Sequence, residues 1–93
     1  MIRILDIKAV SGKRKFSIDY DENGKRHRDS IVFSKVVTAS GEIFETVGSE
    51  DYRFNEYIGS HPELKTTLFS VLRRESEGLP VKFPIRVNGN GKM

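Results

Sequence analysis

The chain has 93 residues, of which 37% are hydrophobic, enough for one domain with a modest core. It contains no cysteine, which excludes disulfides, thiolate metal sites and cysteine nucleophiles. The formal net charge is +3, and the 31% of charged residues is ordinary for a protein surface.

The charge is unevenly spread. Basic residues dominate up to Arg28, acidic ones dominate from Asp29 to Glu63, and basic ones return from Lys65 onward. A fold that joins the first and last thirds would carry a basic face suited to an anionic partner. The N-terminus meets charge at Arg3 and Asp6, too early for a signal-peptide core. No apolar run approaches the roughly 18 residues of a membrane span. The expectation is a soluble, cytoplasmic protein.

In chain order, the first strand is predicted from about Arg3 to Val10, with Leu5, Ile7 and Ala9 alternating with Ile4, Asp6 and Lys8. Ile2 and Ile4 fall on the reverse face and hint at a second buried surface. Ser11-Gly12 marks a turn. A second strand runs from about Arg14 to Asp21, with Phe16, Ile18 and Tyr20 on one face.

Asn23-Gly24 is the strongest hairpin signal, because a type I′ turn needs positive φ at both central residues. With these two as the loop, Glu22 faces Lys25, Asp21 faces Arg26, Tyr20 faces His27 and Asp19 faces Arg28. Such cross-strand charge pairs contribute roughly 0.2–1 kcal/mol each and mainly fix register. The third strand extends from about Lys25 to Thr38. Its alternation slips at the adjacent Val36 and Val37, which predicts a bulge or bend near Ser34-Lys35. Ser40-Gly41 turns into a fourth strand, Glu42 to Val47.

Ser49 is the expected N-cap of a short helix running to about Ile58, with Gly59 just past its end. Ser60-His61-Pro62-Glu63 has the S-x-x-E form of a capping box and opens a second helix. Leu64, Leu68, Val71 and Leu72 form its apolar stripe, and Gly78 with Pro80 ends it. Val81–Val87 is extended, and Pro84 restricts it to an edge. Residues 88–93 have nothing to bury and form a flexible tail. The fold class is therefore α+β: a four-stranded antiparallel meander, two helices packed on one face and a late edge strand, in a single domain over 1–87.

Metal chemistry is poorly supported. Asp19-Tyr20-Asp21-Glu22-Asn23-Gly24 resembles the opening of an EF-hand calcium loop, but only over those six residues. The position that needs a bidentate Glu is Ser30, and Lys25, Arg26 and Arg28 would repel the ion. His27 and His61 are too far apart in sequence, and without cysteines, to make a zinc site. Gly89-Asn90-Gly91-Lys92 lacks the hydroxyl residue and helix of a phosphate loop. No nucleophile elbow occurs. No cofactor, metal or catalytic residue is assigned, and the chain is read as non-catalytic.

Two clusters remain, Lys13-Arg14-Lys15 and Lys25-Arg26-His27-Arg28. The leading expectation is a small nucleic-acid-binding accessory or regulatory protein. Lys13, Arg14 and Lys15 would contact phosphates, helped by Arg73 and Arg74 and by Arg26 and Arg28 where the hairpin leaves them free. Four strands followed by a helix resembles small single-strand nucleic-acid-binding domains at the level of topology alone. The alternative is a protein-interaction module, an inhibitor, adaptor or oligomer subunit, using an open sheet face or an edge strand.

Overall fold

Asn23 and Gly24 take φ of 55° and 88° in the computed structural model, which describes residues 1–12 and 14–87. The two-residue turn joins β2 (Lys15–Glu22) to β3 (Lys25–Val37). The register is the one the turn dictates: Glu22 opposite Lys25, Tyr20 opposite His27, Asp19 opposite Arg28 and Phe16 opposite Ile31. Phe16, Ile18, Tyr20, Ile31 and Phe33 are thereby brought to one face, and all five are buried.

β1 (Ile2–Ser11) pairs antiparallel with β2 on one side, and β4 (Ile43–Gly48) pairs with β3 on the other. After the helices, β5 (Ile85–Val87) returns beside β1 and covers Ile2 to Ile4. The sheet order is β4-β3-β2-β1-β5, all antiparallel. The molecule is thus α+β, a five-stranded sheet with two helices. The last strand is shorter than its apolar alternation suggested, because only the three residues after Pro84 join the ladder. The tail expected over 88–93 lies outside the described residues.

β1 corrects the sequence reading. Its register against β2 shifts between Ile4 and Asp6 and again between Ala9 and Ser11. The first bulge inserts Leu5 as an extra residue, so Ile2, Ile4 and Ile7 all reach the core, at 6%, 0% and 3% exposure. Among the described residues Ile2 and Ile4 belong to the same core cluster as Ile7, not to a second buried surface. β3 shows the converse. Its register with β4 runs without a shift from Val32–Gly48 to Val37–Ile43, so no bulge lies at Ser34-Lys35. Beyond Phe33 the strand has left the core, and Val36 and Val37 both reach solvent. Alternation is enforced only where one face is buried.

Helix α1 (Tyr52–Gly59) begins at Asp51, whose carboxylate accepts from the N–H groups of Arg53 and Phe54 at 2.9 and 3.1 Å. The cap is therefore two residues later than the expected Ser49. The Ser49 hydroxyl accepts instead from the Asp51 N–H at 3.0 Å. Helix α2 (Pro62–Ser76) starts at His61 with Pro62 in its first turn, and Ser60 donates to the Tyr57 carbonyl rather than capping it. At its far end Gly78 takes φ of 76°, and Leu79 N–H donates to the Arg74 carbonyl at 2.9 Å, closing a Schellman-type cap.

Phe54 and Ile58 of α1 and Leu64, Leu68, Val71 and Leu72 of α2 cover the buried sheet face. Each such aliphatic side chain contributes roughly 1.5–3 kcal/mol by leaving water. Leu68→Ala is expected to lower the unfolding free energy by roughly 2–5 kcal/mol in a urea titration. Tyr52→Ala, at a side chain 75% exposed, is expected to stay within about 0.5 kcal/mol of wild type. Equal effects of the two changes would contradict this placement of the core.

Candidate functional site

The cations singled out by sequence are distributed over three regions. Lys13 lies outside the described residues. Arg14 and Lys15 stand at the start of β2, where the Arg14 carbonyl accepts the Phe33 N–H at 2.8 Å. Arg14 lines a hollow of about 390 Å³ with Phe33, Lys35 and Ser76, the last residue of α2. Lys15 sits 3.4 Å from Glu50. Arg26 and Arg28 lie toward the other end of the β2–β3 hairpin, roughly 20 and 13 Å along the strands from Lys15.

Arg73 and Arg74 diverge to the two flanks of α2. Arg73 turns toward β4, where its Nε donates to both oxygens of Glu45 at 3.1 Å. Arg74 lines a cleft on the opposite flank with Val81, Lys82, Ile85 and Arg86.

Several of these charges are already matched. Arg28 grips Asp19 through two nitrogens, at 2.6 and 3.1 Å. Asp21, opposite Arg26, instead takes Arg3 of β1 at 2.6 Å. That partner was not legible from the hairpin alone, because it depends on how β1 pairs with β2. The arginine hydrogen bonds hold the carboxyl groups of Asp19, Asp21 and Glu45 below their ordinary pKa values. The stabilisation is present above the unfolded carboxylate pKa and is lost as the pH falls through the folded values.

A second group surrounds Tyr20. Its ring stacks with His27, at 5.2 Å, and with Phe54, at 5.4 Å, and the series continues through Tyr57 to His61. Glu22, Asp29, Asp51 and Arg53 complete a hollow of about 370 Å³. Tyr20 donates to Asp29 at 3.2 Å. Burial, with Asp51 nearby, raises the Asp29 pKa above its ordinary value. The Tyr57 hydroxyl is buried without a hydrogen-bond partner of usual geometry, and burial together with the Glu22 carboxylate pushes it up to about 12. Tyr20 of the hairpin packs against Phe54 and Tyr57 of α1, and Asp29 and Asp51 are engaged by Tyr20 and by the start of α1. The group therefore serves to dock α1 on the hairpin.

The third feature is one that sequence reasoning missed. Val36, Val37, Ile43 and Phe44 are 53%, 65%, 63% and 54% exposed, and they pair directly across the β3–β4 ribbon, Val36 with Phe44 and Val37 with Ile43. Both faces of the ribbon are therefore apolar. The signal was present as two adjacent apolar pairs, Val36-Val37 and Ile43-Phe44, each breaking the alternation. Beside the ribbon, Ile43, Phe44, Glu45, Phe69 and Arg73 line a further hollow of about 470 Å³.

β4 is also the edge of the sheet. Thr38 N–H donates to the Glu42 carbonyl at 2.8 Å, which sets the hydrogen-bond phase of the ribbon. Phe44, Thr46 and Gly48 point their backbone groups at β3, and Ile43, Glu45 and Val47 point theirs outward. No backbone partner occurs for those outward groups among the described residues. The other side of the sheet is better shielded. β5 is three residues long and follows Pro84, and the rest of β1 carries two bulges and Lys8. Short strands, bulges, proline and lysine are the usual protections of an edge, and the only charge on β4, Glu45, is held by Arg73.

Among the described residues, no group of three or more His, Asp or Glu side chains could hold a metal ion. No described helix is long and apolar enough to cross a membrane. Comparison with protein-family models, curated proteins and solved structures finds no match to this chain.

The Asp29 environment gives a pH test. The folded state holds the Asp29 proton more tightly than the unfolded state does. Ionisation therefore costs stability as the pH rises from the unfolded value through the raised folded value. Asp29→Asn keeps an acceptor for Tyr20 and removes the charge. It is expected to raise the melting temperature at neutral pH, with the difference vanishing once the pH is below both values. A variant less stable than wild type at neutral pH would contradict the assignment.

Proposed function

We propose that this chain is a non-catalytic protein-interaction module whose contact surface is the β3–β4 ribbon. One observation carries the reading: an unprotected edge strand is flanked on both faces by half-exposed Val36, Val37, Ile43 and Phe44. An edge of this kind accepts an added strand. Main-chain hydrogen bonds from Ile43, Glu45 and Val47 would supply affinity, and the flanking side chains would supply specificity. Removing this apolar surface from water contributes about 25 cal/mol per Å² before the cost of association. A cytoplasmic location belongs to the same proposal, being compatible with a chain free of cysteine.

A second reading, a nucleic-acid-binding accessory or regulatory protein, is favoured by a different observation. Arg14 and Lys35 flank one hollow close to Lys15, on a chain with net charge +3. Against it, Arg28, Arg73 and Lys15 are each within ion-pair distance of a carboxylate, and Arg74 lies on the far flank of α2. Dispersed and compensated charge supports protein contact over phosphate contact.

Two measurements separate the readings. In affinity capture with the wild-type chain and with Ile43→Lys/Phe44→Lys as baits, the variant is expected to lose the bound proteins, second copies included. Equal retention by both baits overturns the ribbon as the contact surface. In a salt titration with single- and double-stranded DNA and RNA, the second reading requires log K to fall with log salt by about 0.7–0.9 per phosphate contact. Absence of binding at low salt removes that reading.

A further inference from the structure

The hydrogen-bond phase of β4 also bears on which partner fits it. We infer that the partner of the ribbon is a second copy of this chain, joined β4 to β4 about a two-fold axis at Phe44. The inference rests on the ribbon being the contact surface, as proposed above.

An antiparallel pair of identical strands is self-complementary, because a two-fold axis lets each edge supply the donors and acceptors the other needs. The outward groups are those of Ile43, Glu45 and Val47. Few registers use them. An axis at Glu45 places two carboxylates directly opposite each other, an unfavourable cross-strand pair. An axis at Thr46 moves the contact toward Gly48, where Asn55 Oδ1 already accepts the Ser49 N–H at 3.0 Å and packs within 2.9 Å of where a Gly48 Cβ would stand. An axis at Ile43 pairs only one residue of each strand before reaching the Gly41 turn.

An axis at Phe44 avoids all three problems. Ile43 of each copy exchanges both backbone hydrogen bonds with Glu45 of the other. Phe44 faces Phe44 in a non-hydrogen-bonded pair, the geometry that brings side chains closest, and aromatic cross-strand pairs are among the favourable ones. Thr46 faces Glu42, and no like charges meet. The two sheets become one continuous sheet of ten strands, five from each copy. The apolar residues of the two ribbons meet at its centre, beside the hollow under Phe69.

The absence of cysteine makes the register directly readable. Single-cysteine variants Phe44→Cys and Thr46→Cys are oxidised, and disulfide-linked dimer is followed with time. With the axis at Phe44, the Cα atoms of position 44 in the two copies stand about 4.5 Å apart, near the disulfide range. Those of position 46 stand roughly 14 Å apart and outside it. The expected result is at least about tenfold faster dimer formation for Phe44→Cys. Sedimentation equilibrium keeps the test independent of that substitution: wild type is expected to be dimeric and Ile43→Glu, which sets a second carboxylate opposite Glu45 of the other copy, monomeric.

A wild-type chain that stays monomeric at every concentration overturns the second copy as partner. Loss of other proteins by the Ile43→Lys/Phe44→Lys bait would still leave the broader reading standing. A dimer that Ile43→Glu leaves intact overturns both the axis and this use of the ribbon, and one that the Thr46→Cys variant links faster than Phe44→Cys does overturns the axis.

Discussion

The register of the β2–β3 hairpin is the constraint on which the rest of this structure depends. Asn23 and Gly24 can both hold positive φ, so the turn closes in two residues and leaves no freedom in the pairing that follows. A slip of one residue would carry Phe16, Ile18 and Tyr20 to the solvent face. With the register fixed, these three and Ile31 and Phe33 form the floor on which α1 and α2 rest. β1 then has to meet a floor already phased, and it does so by absorbing Leu5 as a bulge so that Ile4 and Ile7 reach the same side.

The same geometry explains why charge is a weaker guide to function than the composition suggested. A sheet built on alternation brings acids and bases into rows on its outer face. Asp19 takes Arg28, Asp21 takes Arg3, and across to the helices Glu45 takes Arg73. Exposed pairs of this kind contribute little stability, typically up to about 1 kcal/mol each, but they neutralise cations that would otherwise face a phosphate. The helices, in turn, leave the far part of the ribbon exposed, with Val36, Val37, Ile43 and Phe44 each more than half exposed. β3 and β4 run on past the core, and what they carry there is apolar. A protein surface seldom leaves paired valines, an isoleucine and a phenylalanine on an unprotected edge without a partner for them.

Local chemistry made much of this legible in the sequence. The hairpin, its register, the helix α2 stripe at Leu64, Leu68, Val71 and Leu72, and the stop at Gly78 each depend on neighbours a few residues away. What was not legible depends on distant contacts. Leu5 could equally have been the inward residue of β1, and only packing against the helices selects Ile4. Asp51 displaced Ser49 as cap because the chain leaving Gly48 is held by Asn55. Val36-Val37 suggested a bulge on the assumption that one face of β3 is buried along its whole length, and beyond Phe33 neither face is. The candidate surface was hidden by the same assumption.

The central claim is that the outer edge of β4 is a pairing edge, and amide hydrogen exchange reads it directly. Within one strand the account predicts two classes of amide. Those of Phe44 and Thr46 bond to β3 and are protected at every protein concentration. Those of Ile43, Glu45 and Val47 exchange rapidly in dilute solution, and Ile43 and Glu45 become protected as the concentration rises. Rapid exchange of Ile43 and Glu45 that is the same at all concentrations, and unchanged by any captured partner, would contradict it.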